Sequence, residues 1–190
     1  LNEAHKAAQG TTWLREVEAG TQSVSQEDSN DTPAVREIAR RLSDKTKRSK
    51  IKTTITWMQD GISETDHKKF EPALRELGVL LGAESFKPPD QGRTDCAWCW
   101  SERVWIAIEA KSEQSTSREI SLNTIRQANT QMDQLSADRG VETPALAATI
   151  VASPRTDIAD EAVTGAHPEV HLVHPKTFDE ISTNVSHCWD

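Results

Sequence analysis

Apolar side chains are scarce in this 190-residue chain: hydrophobic residues make up 35%, against about 45–50% in ordinary globular domains. The shortage is uneven. Leu, Ile, Val and Phe number ten in residues 1–66 and twenty-six in residues 67–190, so only the second part has the makings of an ordinary core. No apolar run approaches the ~20 residues a membrane helix needs, and no charged stretch followed by an apolar one marks a secretory signal. Those gaps exclude a membrane span and a signal-bearing precursor. Three cysteines are too few for a disulfide framework, and their scarcity points to a reducing, cytoplasmic compartment. The first residue is Leu1, not Met, as expected of a segment of something longer. A Walker loop, a Gly-rich dinucleotide fingerprint and a nucleophile elbow are all missing.

What is present is acidic. The formal net charge is −8, with −1 in residues 1–66 and −7 in residues 67–190. An acidic balance disfavours indiscriminate polyanion binding. Even so, Arg40, Arg41, Lys45, Lys47, Arg48, Lys50 and Lys52 fall close together with only Asp44 opposing them. Such a run most often makes a solvated face, and it also suits a local patch that tracks phosphates.

Residues 20–33 read as a polar linker, and a short helix over 33–47 follows. Residues 50–58 are open between helix and edge strand. A stripe of Phe70, Leu74, Leu77 and Leu81 predicts a helix ending at Gly82, with 63–66 as its capping box and Pro72 in its first turn or kinking it. Strands are expected at 95–100 and 104–111 across a turn at 101–103, then a helix over 117–137. A fully buried strand at 145–152, a helix at 155–164, a strand at 170–173 and a short helix at 176–183 complete the pattern. The order from residue 67 is that of an α/β layered domain with a mixed sheet. The expected organisation is a helical, partly flexible N-terminal segment over 1–66 and a folded domain over 67–190.

The strand at 104–111 carries the chemistry. Period-two alternation puts Trp105, Ala107, Glu109 and Lys111 on one face, so an apolar face ends in a carboxylate and an ammonium. A turn centred on Glu102 sets residues summing to 204 opposite each other, which pairs Asp95 with Glu109, Cα atoms ~4.5–5.5 Å apart. Two opposed carboxylates raise each other's pKa unless a cation lies between them. Hard oxygen ligands suit Mg²⁺ or Mn²⁺, and Lys111 beside them suits holding a water or a developing negative charge. The chemistry such a set supports is metal-assisted phosphodiester hydrolysis.

Phe70-Glu71-Pro-Ala-Leu-Arg-Glu-Leu-Gly78, Gly92-Arg-Thr-Asp95-Cys-Ala-Trp98 and Ile108-Glu109-Ala-Lys111 together resemble the PD-(D/E)XK nuclease superfamily. They are most similar to nuclease domains linked to bacterial helicases and defence proteins. The resemblance runs from about His67 to Leu135. It implies a restriction-endonuclease-like fold and Mg²⁺- or Mn²⁺-dependent DNA cleavage by a module of a larger DNA-processing or anti-phage system, with DNA and a helicase or ATPase as partners and room for a homodimer. It further implies that Asp95, Glu109 and Glu71 ligate metal, with Glu76 the fallback for Glu71, and that Lys111 and Gln127 complete the catalytic set. Arg40, Arg41, Lys47, Arg48 and Lys50 would contact nucleic acid. Thr94 stands where Pro is usual. A literal Pro89-Asp90 exists, but pairing it with Glu109 would centre the hairpin near Cys99–Trp100, where no turn residue is found. The alternative expectation is a catalytically inactive nuclease fold used for DNA binding or assembly.

Two weaker signals accompany this set. Cys96 and Cys99, with His187 and Cys188, outline a zinc site, but residues 96 and 99 of a strand face opposite ways, which favours core packing. Trp98, Trp100 and Trp105 are expected in the core or at an interface.

Overall fold

The computed structural model describes residues 32–43 and 48–189. Most of the expected linker at 20–33, with Lys47 and the Arg48 side chain, lies outside the described residues. The elements run α1 (Thr32–Ser43), α2 (Arg48–Ile62), α3 (His67–Leu80), β1 (Glu84–Phe86), β2 (Cys96–Trp100), β3 (Val104–Ala110), α4 (Leu122–Arg139), β4 (Leu146–Ala152), α5 (Asp160–Gly165), β5 (Val170–Val173) and α6 (Pro175–Trp189). The fold is α/β. Five strands form one mixed sheet in the order β1-β2-β3-β4-β5. The first two pairings are antiparallel and the last two parallel. Short turns suffice for antiparallel neighbours, whereas parallel neighbours need a crossover; α4 supplies it from β3 to β4, and α5 from β4 to β5.

Alternation along β2 and β3 divides the core. Cys96, Trp98, Ile108 and Ala110 pack with Phe70, Leu74 and Leu77 of α3 and Phe178 and Val185 of α6. Ala97, Cys99, Trp105 and Ala107 pack on the other face, against Met132 and Leu135 of α4. The first core also takes in Ile55, Met58 and Ile62 of α2, so residues 50–58, open from the sequence, are helical and buried on one side. Each fully buried Leu, Phe or Met contributes ~1.5–3 kcal/mol.

Local signals account for the boundaries. Asp66 caps α3 by accepting from Lys68 N at 2.9 Å. Ser63, expected in a capping box, instead hydrogen-bonds Asp179 at 3.0 Å. With α3 starting at His67, Pro72 falls inside the helix, beyond its first turn. Ser121 caps α4, and Gly140 ends it at φ 66, a left-handed conformation natural to glycine. The β2–β3 turn puts Ser101 at φ 54.

Four expectations need correction. α6 runs on to Trp189 because the Phe178 and Val185 stripe continues, and Trp189 Nε1 donates to Leu80 O at 3.1 Å. α5 is only six residues. β4 is not buried throughout, since Leu146 at its start is 51% exposed. The three-residue edge strand β1 was too short to leave a periodic signal.

At Gly78, α3 packs tightly against the sheet. A Cβ there would meet the Trp98 indole and the Ser85 hydroxyl, and that indole is held by its N–H donating to Leu74 O at 3.1 Å. Gly78→Ala should therefore cost ~1–3 kcal/mol through overpacking, despite alanine's better helix propensity. Urea unfolding measures it; an unchanged or raised midpoint would show that the contact yields.

Candidate metal and phosphodiester site

Glu109 comes next to last in β3, on the face that meets α4, and is 1% exposed. Three donors reach its carboxylate. Lys111 Nζ lies 2.6 Å and Gln127 Nε2 2.7 Å from Oε1, and Gln131 Nε2 lies 3.3 Å from Oε2. Gln131 Nε2 also donates to Gly92 O at 3.2 Å, which ties α4 to the loop before β2. Burial pushes the Glu109 pKa above the ordinary carboxylate value; Lys111 pulls it back, and the charges of Asp95 and Glu71 push it further up.

The β2–β3 register pairs Cys96 with Ile108 and Ala97 with Ala107. That register is the one the turn position predicts, and Asp95 directly precedes the paired stretch. Thr94 is buried and closes this end of the hairpin: its hydroxyl donates to Ile108 O at 2.7 Å. Asp95 Oδ2 accepts from Ala110 N at 2.9 Å. Its other oxygen faces Lys87, a residue the sequence reading did not single out. Lys87 Nζ lies 2.7 Å from Glu71 Oε2 and 3.4 Å from Asp95 Oδ1. An ammonium thus bridges the helix carboxylate and the hairpin carboxylate. Its own pKa is raised, chiefly by the Glu71 hydrogen bond and against burial.

A cleft of about 310 Å³ opens here, lined by His67, Glu71, Asp95, Ala110, Lys111 and the 112–114 loop. Glu71, Asp95, Lys111, Glu109 and Gln127 are therefore gathered at one end of the sheet from α3, the hairpin and α4. Glu76 is elsewhere, beside Arg41, Lys50 and Trp189. Asp90 is exposed in the β1–β2 loop.

Hard carboxylate oxygens fit Mg²⁺ or Mn²⁺, and Lys87 between Glu71 and Asp95 marks a position that takes a positive charge. The three expected ligands do not all converge as they stand. Among the described residues, the trio whose potential ligand atoms all lie within 4.8 Å of one another is Asp66, His67 and Glu113. Zinc at the cysteines is disfavoured. Cys96 and Cys99 belong to opposite faces of the sheet, and burial pushes their thiols up to about 12 and about 11.

Arg40, Arg41 and Lys50, the described members of the expected nucleic-acid contact set, do not line the cleft. Arg40 and Arg41 both pair with Glu37, at 2.7 and 2.9 Å, which offsets part of their charge. Lys50 and Arg41 line a separate pocket. Trp98, Trp100 and Trp105 direct their indole N–H groups to Leu74, Leu81 and Ser101 carbonyls, and Trp98 and Trp105 are buried, so those two serve the core.

Gln131 and Lys87 were the misses. Gln131 lies one turn past Gln127 on the same helix face, a spacing that was readable. A lone loop lysine carries no such signal. No helix among the described residues is long and apolar enough to cross a membrane. No family model, curated protein or solved structure matches the chain.

Proposed function

We propose that the chain is a metal-dependent deoxyribonuclease with a restriction-endonuclease-like (PD-(D/E)XK) domain, taking Mg²⁺ or Mn²⁺. In this reading it is the nuclease module of a larger bacterial DNA-processing or defence system and works beside a helicase or ATPase. One observation carries the reading: Glu109 is held by both Lys111 and Gln127, and Asp95 accepts from the neighbouring Ala110 N. A bound divalent ion supplies an acidified water and offsets charge on the leaving oxygen. Asp95, Glu109 and Glu71 would hold that ion. Gln127 keeps the Glu109 carboxylate turned to the site, Lys111 orients the attacking water, and basic side chains of 40–50 contact DNA away from the chemistry.

Lys87 favours a second reading. It bridges Glu71 and Asp95 while Lys111 pairs with Glu109, so all three carboxylates already have protein cations, as an inactive DNA-binding or assembly module would need. Metal titration separates the two. In the enzyme Lys87, 42% exposed at its side chain, swings away as metal enters. Wild-type protein should then gain thermal stability with Mn²⁺, up to ~2.7 kcal/mol at 100 times Kd, and Lys87→Met should bind Mn²⁺ roughly ten-fold more tightly, a gain of ~1.4 kcal/mol. No calorimetric binding or stabilisation in either protein would select the inactive module.

A further inference from the structure

His67, the first residue of α3, lines the same cleft as Glu71, Asp95 and Lys111. Glu113 reaches it from the loop that leaves β3. One oxygen, Glu113 Oε1, accepts from His67 N at 3.2 Å and lies 2.8 Å from His67 Nδ1. An ionised carboxylate only accepts, so Nδ1 carries the hydrogen, and Nε2 is left for a ligand oxygen. Such an exposed pair adds little to stability. Its place in the cleft gives it another use.

We propose that His67, oriented by Glu113, is the proton donor to the departing oxygen of the phosphodiester, an inference that rests on the nuclease reading above. As the attacking water forms its bond to phosphorus, the bond from phosphorus to the departing oxygen breaks and leaves its electron pair on that oxygen. The His67 Nε2 proton passes to this alkoxide. The water's proton goes to solvent, and solvent reprotonates the imidazole before the next turnover. The products are a phosphomonoester and an alcohol. Lys111 and the carboxylates serve the attacking side, and His67 serves the leaving side.

The charges around the ring favour this role. Glu113 raises the His67 pKa above its ordinary value, Glu71 and Asp66 add in the same direction, and partial burial opposes. Asp95 and Lys111 complete the charged lining of the cleft. An acid with a raised pKa stays protonated to higher pH. Glu113→Gln loses the carboxylate that orients Nδ1, so it should lose part of the same rate that His67→Ala loses.

The test uses single-turnover cleavage of a short DNA duplex in Mg²⁺. The product ends show which bridging oxygen departs, and a second duplex carries sulfur at that position, because a thiolate leaves without needing a proton. His67→Ala should lose ~100-fold on the oxygen-linked duplex and cleave the sulfur-linked duplex like wild type. In metal-free protein, the His67 imidazole followed by NMR should titrate above its ordinary value, and lower in Glu113→Gln. Equal losses on both duplexes, no loss on either, or a His67 titration indifferent to Glu113→Gln would overturn the inference while leaving the nuclease standing. Wild-type protein that cleaves neither duplex nor single strand, with Mg²⁺ or Mn²⁺, would remove the nuclease reading and the inference together.

Discussion

Asp95→Asn should lower metal-dependent DNA cleavage by at least ~1,000-fold, equivalent to ~4 kcal/mol of transition-state stabilisation, with the fold intact. The side chain has two jobs. Its Oδ2 accepts from Ala110 N, a local tie at the end of the hairpin, and its Oδ1 faces the Lys87 ammonium. Asparagine keeps an acceptor for the first job and lacks the charge for the second. Asp95→Ala removes both, and should cost a further ~0.5–1.5 kcal/mol in stability for the lost hydrogen bond. Glu109→Gln should be equally inactive, with a different stability profile in the absence of metal. A carboxyl whose folded pKa is raised costs stability above that pKa and stops costing it below the unfolded value. The wild type should therefore gain on Glu109→Gln as pH falls from neutrality through the raised Glu109 pKa towards the ordinary carboxylate value. Cleavage assays beside thermal melts, with and without Mn²⁺, test all three variants. A wild-type rate for Asp95→Asn would move the first metal ligand from Asp95 to Asp90.

The hairpin was legible because its signals were local and redundant. Alternation gave Glu109 and Lys111 a common face, and the turn at 101–103 then left one register, the one observed. Gln127 was legible only through the resemblance, because the spacing of Asn123, Gln127, Gln131 and Gln134 by itself equally describes a solvated helix face. Lys87 was not, because what gives it meaning is the approach of Glu71 from α3 to Asp95 from the hairpin. That approach depends on how α3 sits against the sheet, at the Gly78–Trp98 contact, which no single segment encodes. His67 and Glu113 were silent for the same reason: they are 46 positions apart in the chain and meet only when β3 emerges beside the start of α3. Element lengths failed where burial changes along an element. The apolar run of β4 read as a fully buried strand although its first residue is exposed, and α6 outran its expected end because Trp189 finds a partner on α3.

Lys111→Arg should reduce cleavage by at least ~100-fold, or ~2.7 kcal/mol, while metal and DNA affinity change little. The pair it would replace is short, with Nζ 2.6 Å from Glu109 Oε1, and it has little room, since the same oxygen also accepts from Gln127 at 2.7 Å. If Lys111 served only to neutralise a buried carboxylate, arginine would do as well, because its charge is permanent and its fork suits a carboxylate. Stability and activity would then both survive. A lysine that also positions a water must place one compact ammonium at one point on the cleft wall, and a planar guanidinium puts its donors elsewhere. Stability should then hold, because the ion pair re-forms, and the loss should fall on the chemical step. Lys111→Met separates the charge from the geometry: it leaves Glu109 buried beside two amides without its cation, and should lower stability as well as rate. The measurement is single-turnover cleavage in saturating Mg²⁺ on duplex and single-stranded DNA across pH 6–9, beside urea unfolding of each variant. An arginine variant as fast as wild type would make Lys111 the counterion of Glu109 and nothing more.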